Sequence, residues 1–389
     1  MSGLFNCHIC GSLGTLKLVS NFSDFKRVTS DCKPWPSGGM LGICTVCASV
    51  QKPIIEDWVA ETNQIYSDYS IYYQGGGEEP KVYSEGFDLL VDRSNQMLER
   101  IFGQLDLSSH GKLLDIGCGN GAILRTVCKI LPGWILEGTE IDDRYKAEVE
   151  SIGGVKKVHV GGVLPVGELY DVITMVHVLE HISNPQVILE KIAGLLRPDG
   201  ILLIVVPDLV TNPFDIIVAD HCSHFCNFSL NNLLQRSGYT SVYATNAMMD
   251  RQLIAIAKVG GNSSVAGSSF VPDPDAIISW LDSFRRTAGE LKADKIGILG
   301  SSINAVWLAC EMDLQFDFFV HEDTSRVGRK LLGKAIFSPS SVESGAILVP
   351  IPHPWCDVIS RRLGMRGPEG VSYVSPSFNS LLLDSTVDV

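Results

Sequence analysis

The sequence predicts an α/β protein built around a doubly wound, parallel sheet. From residue 112, strand-like apolar runs alternate with helical runs, a glycine-rich turn follows the first strand, and a similar alternation begins again at residue 295. Strands that alternate with helices favour a parallel sheet covered by helices. With 389 residues, 45% of them apolar and 19% charged, the chain is long enough for two or three buried cores.

Composition divides the chain into three predicted parts. Residues 1–75 form a loop-rich module with two Cys-x-x-Cys pairs, followed by a connector rich in tyrosine. Residues 76–260 hold the main α/β alternation, preceded by an amphipathic helix in "GFDLLVDRSNQMLERIFGQL". The stretch "GGNSSVAGSSFVPDPD" has the Gly, Ser and Pro content of a linker, and residues 270–389 form a second α/β domain.

Charge and hydropathy exclude some classes of partner. The formal net charge of -13 opposes binding to nucleic acid, which relies on clustered Lys and Arg. The longest aliphatic run, "ILLIVV" at 201–206, is far shorter than the roughly 20 residues that span a bilayer. The first ten residues lack a basic and an apolar region of the kind that directs secretion. We therefore expect a cytoplasmic protein with reduced cysteines, no membrane span and no nucleic-acid partner.

The stretch "LLDIGCGNGAIL", residues 113–124, indicates a ligand-binding turn. An apolar strand ends with Asp115 and runs into Gly117, Gly119 and Gly121, and glycine lets a backbone approach a ligand closely. The next strand, "WILEGTEID", ends with Glu140, where such folds hold the two hydroxyls of a ribose. A generic Rossmann turn is the alternative for the glycine turn taken alone.

Together with "YDVITMVHVLEHISNP" and "LLRPDGILLIVVPD", these motifs resemble the class I S-adenosylmethionine (SAM)-dependent methyltransferases over residues 85–260. The resemblance implies SAM as cofactor, with His177 beside the reaction centre. The cofactor-binding residues that it implies are Asp115, Gly117, Cys118, Gly119, Glu140, Ile141 and His177. One departure is the absence of an Asp facing the adenine amine in "VHVGGVLPVGELYDV", where backbone groups near Gly162 and Val163 are expected to serve.

The two Cys-x-x-Cys pairs predict a structural zinc site. Each pair can place two sulfurs on one tight turn, and four thiolates form a closed tetrahedral shell without an open position for catalysis. The predicted ligands are Cys7, Cys10, Cys44 and Cys47. Cys32 and His8 are the candidate substitutes for one of them.

The combination of a zinc module, an aromatic connector, a methyltransferase core and a C-terminal Rossmann-like domain resembles the three-domain sugar methyltransferases, including deoxysugar C-methyltransferases. That resemblance implies a sugar acceptor, expected to be nucleotide-linked, over which connector aromatics and a histidine loop meet. The connector aromatics are Tyr66, Tyr69, Tyr72 and Tyr73, of which Tyr73 is the predicted catalytic one.

The histidine loop corresponds to "DHCSHFCNFS", residues 220–229. His221 is the predicted general base, oriented by Asp220, and His224 is the second candidate. Val218 stands where the family has a tyrosine, so that both C- and O-methylation stay open. On a helix, two histidines and two cysteines at these spacings could instead hold a metal, or simply pack and cap the following helix.

Two other classes of function remain open from the sequence. One is a catalytically inactive scaffold that keeps zinc and cofactor. The other is a sugar oxidoreductase that binds NAD at "GILGSSINAVW", residues 297–307, although this turn lacks the third glycine of the dinucleotide motif. The sequence predicts neither the identity of the sugar nor the oligomeric state.

Overall fold

The computed structural model describes residues 5–71, 79, 81–83, 90–245, 249, 251–260, 264–266 and 270–376. None of the helices in this part of the chain is both long and apolar enough to cross a membrane. Tyr72 and Tyr73 lie outside the described residues.

The N-terminal module consists of short strands, as its loop-rich composition predicts. Its strands are β1 (Leu16–Leu18), β2 (Arg27–Val28), β3 (Pro34–Trp35), β4 (Gly42–Cys44) and β5 (Val50–Gln51), and helix α1 (Glu56–Ser67) follows. Strands β1, β4 and β5 form an antiparallel sheet, and β2 pairs with β3. A module this small buries little apolar surface, so it needs an additional source of stability such as a bound metal ion.

The central part contains the predicted alternation of strands and helices. Its elements, in chain order, are β6 (Lys81–Tyr83), β7 (Leu90–Asp92), α2 (Arg93–Phe102), β8 (Lys112–Ile116), α3 (Ala122–Ile130), β9 (Ile135–Glu140), α4 (Lys146–Glu150), β10 (Val155–Val160), β11 (Tyr170–Val176), α5 (Pro185–Ala193), β12 (Leu196–Pro207), β13 (Ser223–His224), α6 (Asn227–Arg236), β14 (Tyr239–Thr245), β15 (Gln252–Val259) and β16 (Ser264–Ala266). The predicted amphipathic helix is confirmed as α2, which buries Met97, Leu98 and Ile101.

The main sheet has the strand order β10-β9-β8-β11-β12-β15-β14-β16. The first five strands are parallel, as predicted, and the central strands β8, β11 and β12 are mostly buried, as expected for a parallel sheet. The sheet departs from the predicted parallel arrangement at one strand, because β15 runs antiparallel to both β12 and β14. The predicted linker also contains β16, which extends this sheet by pairing with β14.

The C-terminal part forms a second sheet. Its elements are α7 (Pro274–Glu290), β17 (Ile296–Leu299), α8 (Ile303–Glu311), β18 (Phe318–Val320), β19 (Lys330–Leu331), β20 (Lys334–Phe337), β21 (Ser344–Leu348), α9 (Trp355–Arg366) and β22 (Gly370–Val374). The strand order is β19-β20-β18-β17-β21-β22, and only β19 pairs antiparallel.

The segment after β12 contacts both the N-terminal and the C-terminal parts of the chain. Strand β13 joins the N-terminal sheet by pairing with β5, Ser223 opposite Gln51 and His224 opposite Val50. Phe214 lies in the 3-10 turn Pro213–Ile217, and its ring centroid is 4.8 Å from that of Trp280 on α7 and 5.5 Å from that of Trp307 on α8. The segment that carries the candidate base is therefore held from both sides.

Candidate active site

The glycine turn lies at the carboxyl end of β8, in the middle of the main sheet. Gly117 has a φ of +70° and Gly119 a φ of +52°, a region that side chains rarely adopt. A Cβ on Gly117 would lie 2.5 Å from Cγ2 of Val178, and one on Gly119 would lie 2.7 Å from Cδ1 of Ile71. Both positions therefore require glycine for two reasons: the positive φ and the close approach of neighbouring side chains.

Glu140 ends β9 beside this turn. Its Oε2 accepts a hydrogen bond from the Gly119 N–H at 2.7 Å, and its Oε1 accepts one from the Ile141 N–H at 2.8 Å. The Ile141 side chain is exposed, whereas Cys118 is buried and packs beneath β9 at Gly138. The structure thus brings Gly119, Glu140 and Ile141 together, and it gives Cys118 a packing position next to them.

Asp115 is buried at the end of β8. Its Oδ1 accepts from the Thr174 hydroxyl at 2.6 Å, and its Oδ2 has no hydrogen-bond partner among the described residues. Burial raises the pKa of Asp115 to about 7, against the opposing effect of the Thr174 hydrogen bond. This unpaired oxygen marks a position where a bound group with a donor would fit.

His177 follows β11 at the same edge of the sheet, with a φ of +55° that is uncommon for a residue with a side chain. Its N–H donates to the Val205 carbonyl at 2.8 Å, and its Nδ1 lies 3.3 Å from Oε1 of Glu180. Its Nε2 contacts the Arg93 guanidinium. Burial lowers the pKa of His177, and the charge of Arg93 lowers it further.

The histidine loop is not a helix, so the alternative of a metal held by helical spacing of its histidines and cysteines lacks its backbone. His224 lies in the extended strand β13, and α6 begins only at Asn227. His221 and His224 share one buried carboxylate: their Nδ1 atoms lie 2.7 Å and 2.6 Å from Oδ1 and Oδ2 of Asp215. Asp215 therefore replaces Asp220 as the residue that orients His221.

Asp220 has a different set of partners. It accepts hydrogen bonds from the backbone N–H and the hydroxyl of Ser30, at 2.8 Å and 2.5 Å. Its carbonyl lies 3.2 Å from Nδ1 of His181. Asp220 thereby fixes the loop to the N-terminal module and contacts a histidine for which no catalytic role was predicted.

The electrostatics distinguish the two histidines of the loop. Burial opposes the charged form of His221, but the Asp215 carboxylate outweighs it and raises the pKa of His221 above its ordinary value. Burial lowers the pKa of His224 to about 4, helped by the charge of Lys52. His221 is thus the stronger base, whereas His224 stays neutral across the usual pH range.

Lys52 is a buried residue that the sequence did not single out. Its Nζ donates to the carbonyls of Val218 and of His221, the latter at 2.8 Å, and lies 3.4 Å from Nε2 of His224. Burial lowers the pKa of Lys52 to about 7. Because Lys52 directly follows β5, it secures the histidine loop to the N-terminal module.

Two further side chains beside His221 were also missed. Glu180 and His181, the last two letters of "HVLEH", form a 3-10 turn after β11, and the rings of His181 and His221 meet edge to face at 4.5 Å. The Tyr66 hydroxyl of α1 lies 3.0 Å from Nδ1 of His181, which brings the tyrosine-rich connector to the site. Below, the histidine cluster means Glu180, His181, Asp215, His221 and His224.

The four predicted zinc ligands come together in the N-terminal module. The sulfurs of Cys7 and Cys47 are 3.6 Å apart and those of Cys10 and Cys44 are 3.8 Å apart, and all four lie within 4.8 Å of one another. These separations are too long for a disulfide, whose sulfurs are about 2.05 Å apart. We call these four residues the cysteine cluster. Neither Cys32 nor His8 belongs to it, and His8 instead pairs with the Ser223 hydroxyl at 2.8 Å.

The cysteine cluster is surrounded by hydrogen-bond donors. The backbone N–H of Cys10 donates to the sulfur of Cys7 at 3.3 Å, and the Gln51 side-chain amide donates to the same sulfur at 3.0 Å. In the second turn, the N–H groups of Val46 and Cys47 point to the sulfur of Cys44, at 3.4 Å and 3.5 Å. Such donors stabilise sulfur in its thiolate form.

A comparison with known families identifies the central part of the chain. Residues 91–244 match the family model described as a methyltransferase domain. The match spans the glycine turn, Glu140, His177 and the histidine cluster. Residues 91–244 thus carry a methyltransferase domain.

Solved structures similar to the chain include several methyltransferases. Human N-acetylserotonin methyltransferase in complex with SAM is 17% identical, covering 43% of this chain and 52% of its own, with a TM-score of 0.36. CalO1, a methyltransferase in calicheamicin biosynthesis, is 19% identical over 52% of this chain and 59% of its own, with a TM-score of 0.36. The chain thus spans about half the length of these two structures.

Proposed function

We propose that the protein transfers a methyl group from SAM to a sugar, nucleotide-linked, with His221 as the general base that removes the acceptor's proton. The observation that carries the proposal is the buried Asp215–His221 pair, which lies beside the turn after β11 in a methyltransferase domain. Both O- and C-methylation are compatible with this arrangement.

The residues at the glycine turn fit SAM. Asp115 offers a buried carboxylate oxygen without a partner, and Glu140 offers a carboxylate at the strand end where ribose hydroxyls are held in this type of fold. Gly117 and Gly119 keep the turn free of side chains, while His177 lies at the end of the neighbouring strand. When bound, SAM supplies a methyl group that its sulfonium has already activated.

The chain's own residues then have two tasks, to align the acceptor and to remove one proton. Asp215 holds Nδ1 of His221 at 2.7 Å, which leaves Nε2 as the atom that accepts the proton. The carboxylate also stabilises the imidazolium that forms, because the two opposite charges are buried together. Tyr66, Tyr69 and the predicted Tyr73 belong to the connector that we expect to cover the sugar.

We further propose a structural zinc ion in the cysteine cluster. A Zn–S distance of about 2.3 Å gives sulfur separations of about 3.8 Å in a tetrahedron, close to the 3.6 Å and 3.8 Å of the two opposite pairs. The backbone and Gln51 donors around the sulfurs suit thiolate ligands. A reduced cluster also fits a cytoplasmic protein.

The proposed organisation has three units: a zinc module with the connector at 1–75, the methyltransferase core at 76–260 and a Rossmann-like domain at 270–389. The second glycine turn, after β17, has a single positive-φ glycine, Gly300, and lacks the third glycine of the dinucleotide motif. We therefore assign the C-terminal unit to completing the site, through the anchoring of Phe214, and not to NAD binding.

The experiment that tests the proposed function is an acceptor screen. The zinc-containing protein is incubated with methyl-labelled SAM and a panel of nucleotide-linked sugars, keto-sugars and non-sugar alcohols and amines. Label in each acceptor is measured, and an equal amount of S-adenosylhomocysteine should form. The position of the new methyl group, read by NMR, separates C- from O-methylation. Label transferred only to non-sugar acceptors would refute the sugar assignment, and no transfer to any acceptor would favour the inactive scaffold.

A further inference from the structure

Glu180 and His181 have no role in the proposed proton removal, yet they lie against the base. Glu180 is fully buried, and His181 contacts His221 edge to face with ring centroids 4.5 Å apart. Glu180, His181 and His221 each offer one ligand atom, and these three atoms lie within 4.8 Å of one another. Two imidazoles and one carboxylate are a common donor set for divalent transition-metal ions.

The carboxylate of Glu180 has one oxygen in use and one without a partner. Its Oε1 accepts from Nδ1 of His177 at 3.3 Å, while Oε2 is buried and has no hydrogen bond within the described part of the chain. A buried carboxylate oxygen without a partner is costly, because nothing replaces the water that it loses on folding. This orphaned oxygen points to a cationic ligand.

The two rings are oriented as metal-binding histidines usually are. Nδ1 of His221 lies 2.7 Å from Oδ1 of Asp215, and Nδ1 of His181 lies 3.2 Å from the Asp220 carbonyl and 3.0 Å from the Tyr66 hydroxyl. A carboxylate or carbonyl at one ring nitrogen fixes the tautomer and leaves the lone pair on the other nitrogen. Both rings therefore present Nε2 as the available ligand atom, with the supporting partners already in position.

We propose that Glu180, His181 and His221 form a second divalent-cation site, separate from the cysteine cluster, for a transition-metal ion such as Zn²⁺ or Co²⁺. The site has an N₂O donor set, so it differs in chemistry from the four sulfurs of the cysteine cluster. One consequence rests on the proposed function: when the site is occupied, Nε2 of His221 is a ligand and cannot accept a proton. Occupancy then inhibits methyl transfer.

Cobalt titration tests the site on the full-length protein that already contains one zinc per chain. Nitrogen and oxygen ligands of a protein site give bound Co²⁺ visible bands that exceed those of the free aqua ion but are weak beside the intense near-ultraviolet charge-transfer bands that thiolates add. We expect one equivalent of the weak bands and none of the charge-transfer bands. Glu180→Gln and His181→Asn should each weaken Co²⁺ binding by roughly 10- to 100-fold or more.

Matched controls are Glu190→Gln and His110→Asn, which change an exposed residue of the same type. Both should bind Co²⁺ like the unmodified chain, and thermal unfolding of all four variants verifies that each is folded. Absence of the weak bands, or bands that persist unchanged in both Glu180→Gln and His181→Asn, would overturn the proposed site.

An activity measurement distinguishes failure of this inference from failure of the proposed function. Added Co²⁺ should inhibit the unmodified enzyme in the same concentration range in which the bands appear. Activity that rises with the bands would overturn both the inhibition and the assignment of His221 as a free base. If added Co²⁺ neither changes the activity nor gives the bands, the cation site is overturned and the proposed role of His221 as base is unaffected.

Discussion

The cysteine cluster and the histidine cluster lie on either side of one strand pairing, β5 with β13, but they are built in opposite ways. The cysteine cluster takes all its members from two tight turns of one module. The histidine cluster takes its members from the turn after β11, from the 3-10 turn at Phe214 and from residues 221–224, which end in β13. The cysteine cluster is thus assembled within one module, whereas the histidine cluster forms only when three parts of the chain come together.

This difference determines what each cluster depends on. Gln51 of β5 donates to the sulfur of Cys7, and its strand partner Ser223 immediately precedes His224. Lys52 continues from β5 to the carbonyl of His221. The histidine cluster therefore relies on the cysteine cluster for its position, while the cysteine cluster has no comparable need of the histidines.

The largest expected effect comes from removing half of the cysteine cluster. Cys44→Ser with Cys47→Ser should abolish zinc binding and unfold the N-terminal module, because structural zinc contributes on the order of 10 kcal/mol to folding in small modules. Methyl transfer should then be lost as well, since β13 loses its partner strand. Elemental analysis, thermal unfolding and activity measure the three effects, with Cys128→Ser as control. Full activity of a zinc-free variant would contradict the proposed dependence of the histidine cluster on the cysteine cluster.

Asp215→Asn should have the next largest effect. The amide cannot stabilise the imidazolium, so kcat should fall by roughly 10² to 10³. Because Asp215 raises the pKa of His221, the rate of the unmodified enzyme should rise with pH through a value above about 6.5. In the variant this rise should move to lower pH. Asp294→Asn, at an exposed position, is the control. If Asp215→Asn left the pH profile of the rate unchanged, Asp215 would not be the residue that raises the pKa of the base.

The same substitution changes the pH dependence of stability. The two histidines, against the opposing effect of burial, hold the pKa of Asp215 well below its ordinary value. The carboxylate therefore stabilises the fold above about pH 4, and this stabilisation is lost as the pH falls further. Between about pH 4 and pH 2, the unfolding free energy of the unmodified chain should fall more steeply with decreasing pH than that of the variant. Equal slopes would contradict a folded-state origin of the shift.

Glu140→Ala should weaken SAM binding by about 1.5 to 3 kcal/mol, the usual scale for hydrogen bonds to a charged group. Calorimetry on the two proteins measures it, with Asp142→Ala as a control at the exposed neighbouring acid. Because Glu140 lies in neither cluster, zinc content should stay at one equivalent. Unchanged SAM affinity would remove Glu140 from the cofactor site.

His224→Asn should have the smallest effect on catalysis. His224 shares Asp215 with the base, but burial lowers its pKa to about 4, so it does not compete for the proton. We expect kcat to change by less than about tenfold, with a loss of about 1 to 3 kcal/mol in unfolding free energy from the broken buried hydrogen bond. A larger loss of kcat than in the matching His221 variant would move the base assignment to His224.

The sequence predicts best what depends on neighbouring residues. Alternating runs give the strands and helices of the core, and the spacing within each Cys-x-x-Cys pair places two sulfurs on one turn. The pairing of the two turns follows from tetrahedral metal chemistry, so the four cysteines could be grouped from sequence alone.

The partners in the histidine cluster could not be predicted in this way. Asp220 is next to His221 in sequence, but it lies in a turn and its side chain bonds to Ser30, whereas Asp215 reaches both rings from the preceding turn. The position of that turn depends on Phe214 packing among aromatic rings of the C-terminal part. Glu180 and His181 carried a signal in "HVLEH", but only His177 of that motif was singled out.

The central claim is that His221 removes the acceptor's proton, and His221→Asn tests it most directly. With a sugar acceptor identified, kcat should fall by roughly 10² to 10⁴ while the affinity for SAM and the zinc content stay unchanged. That combination would place the loss in proton removal and not in cofactor binding or folding. A kcat within about twofold of the unmodified enzyme, with an intact fold, would contradict the account.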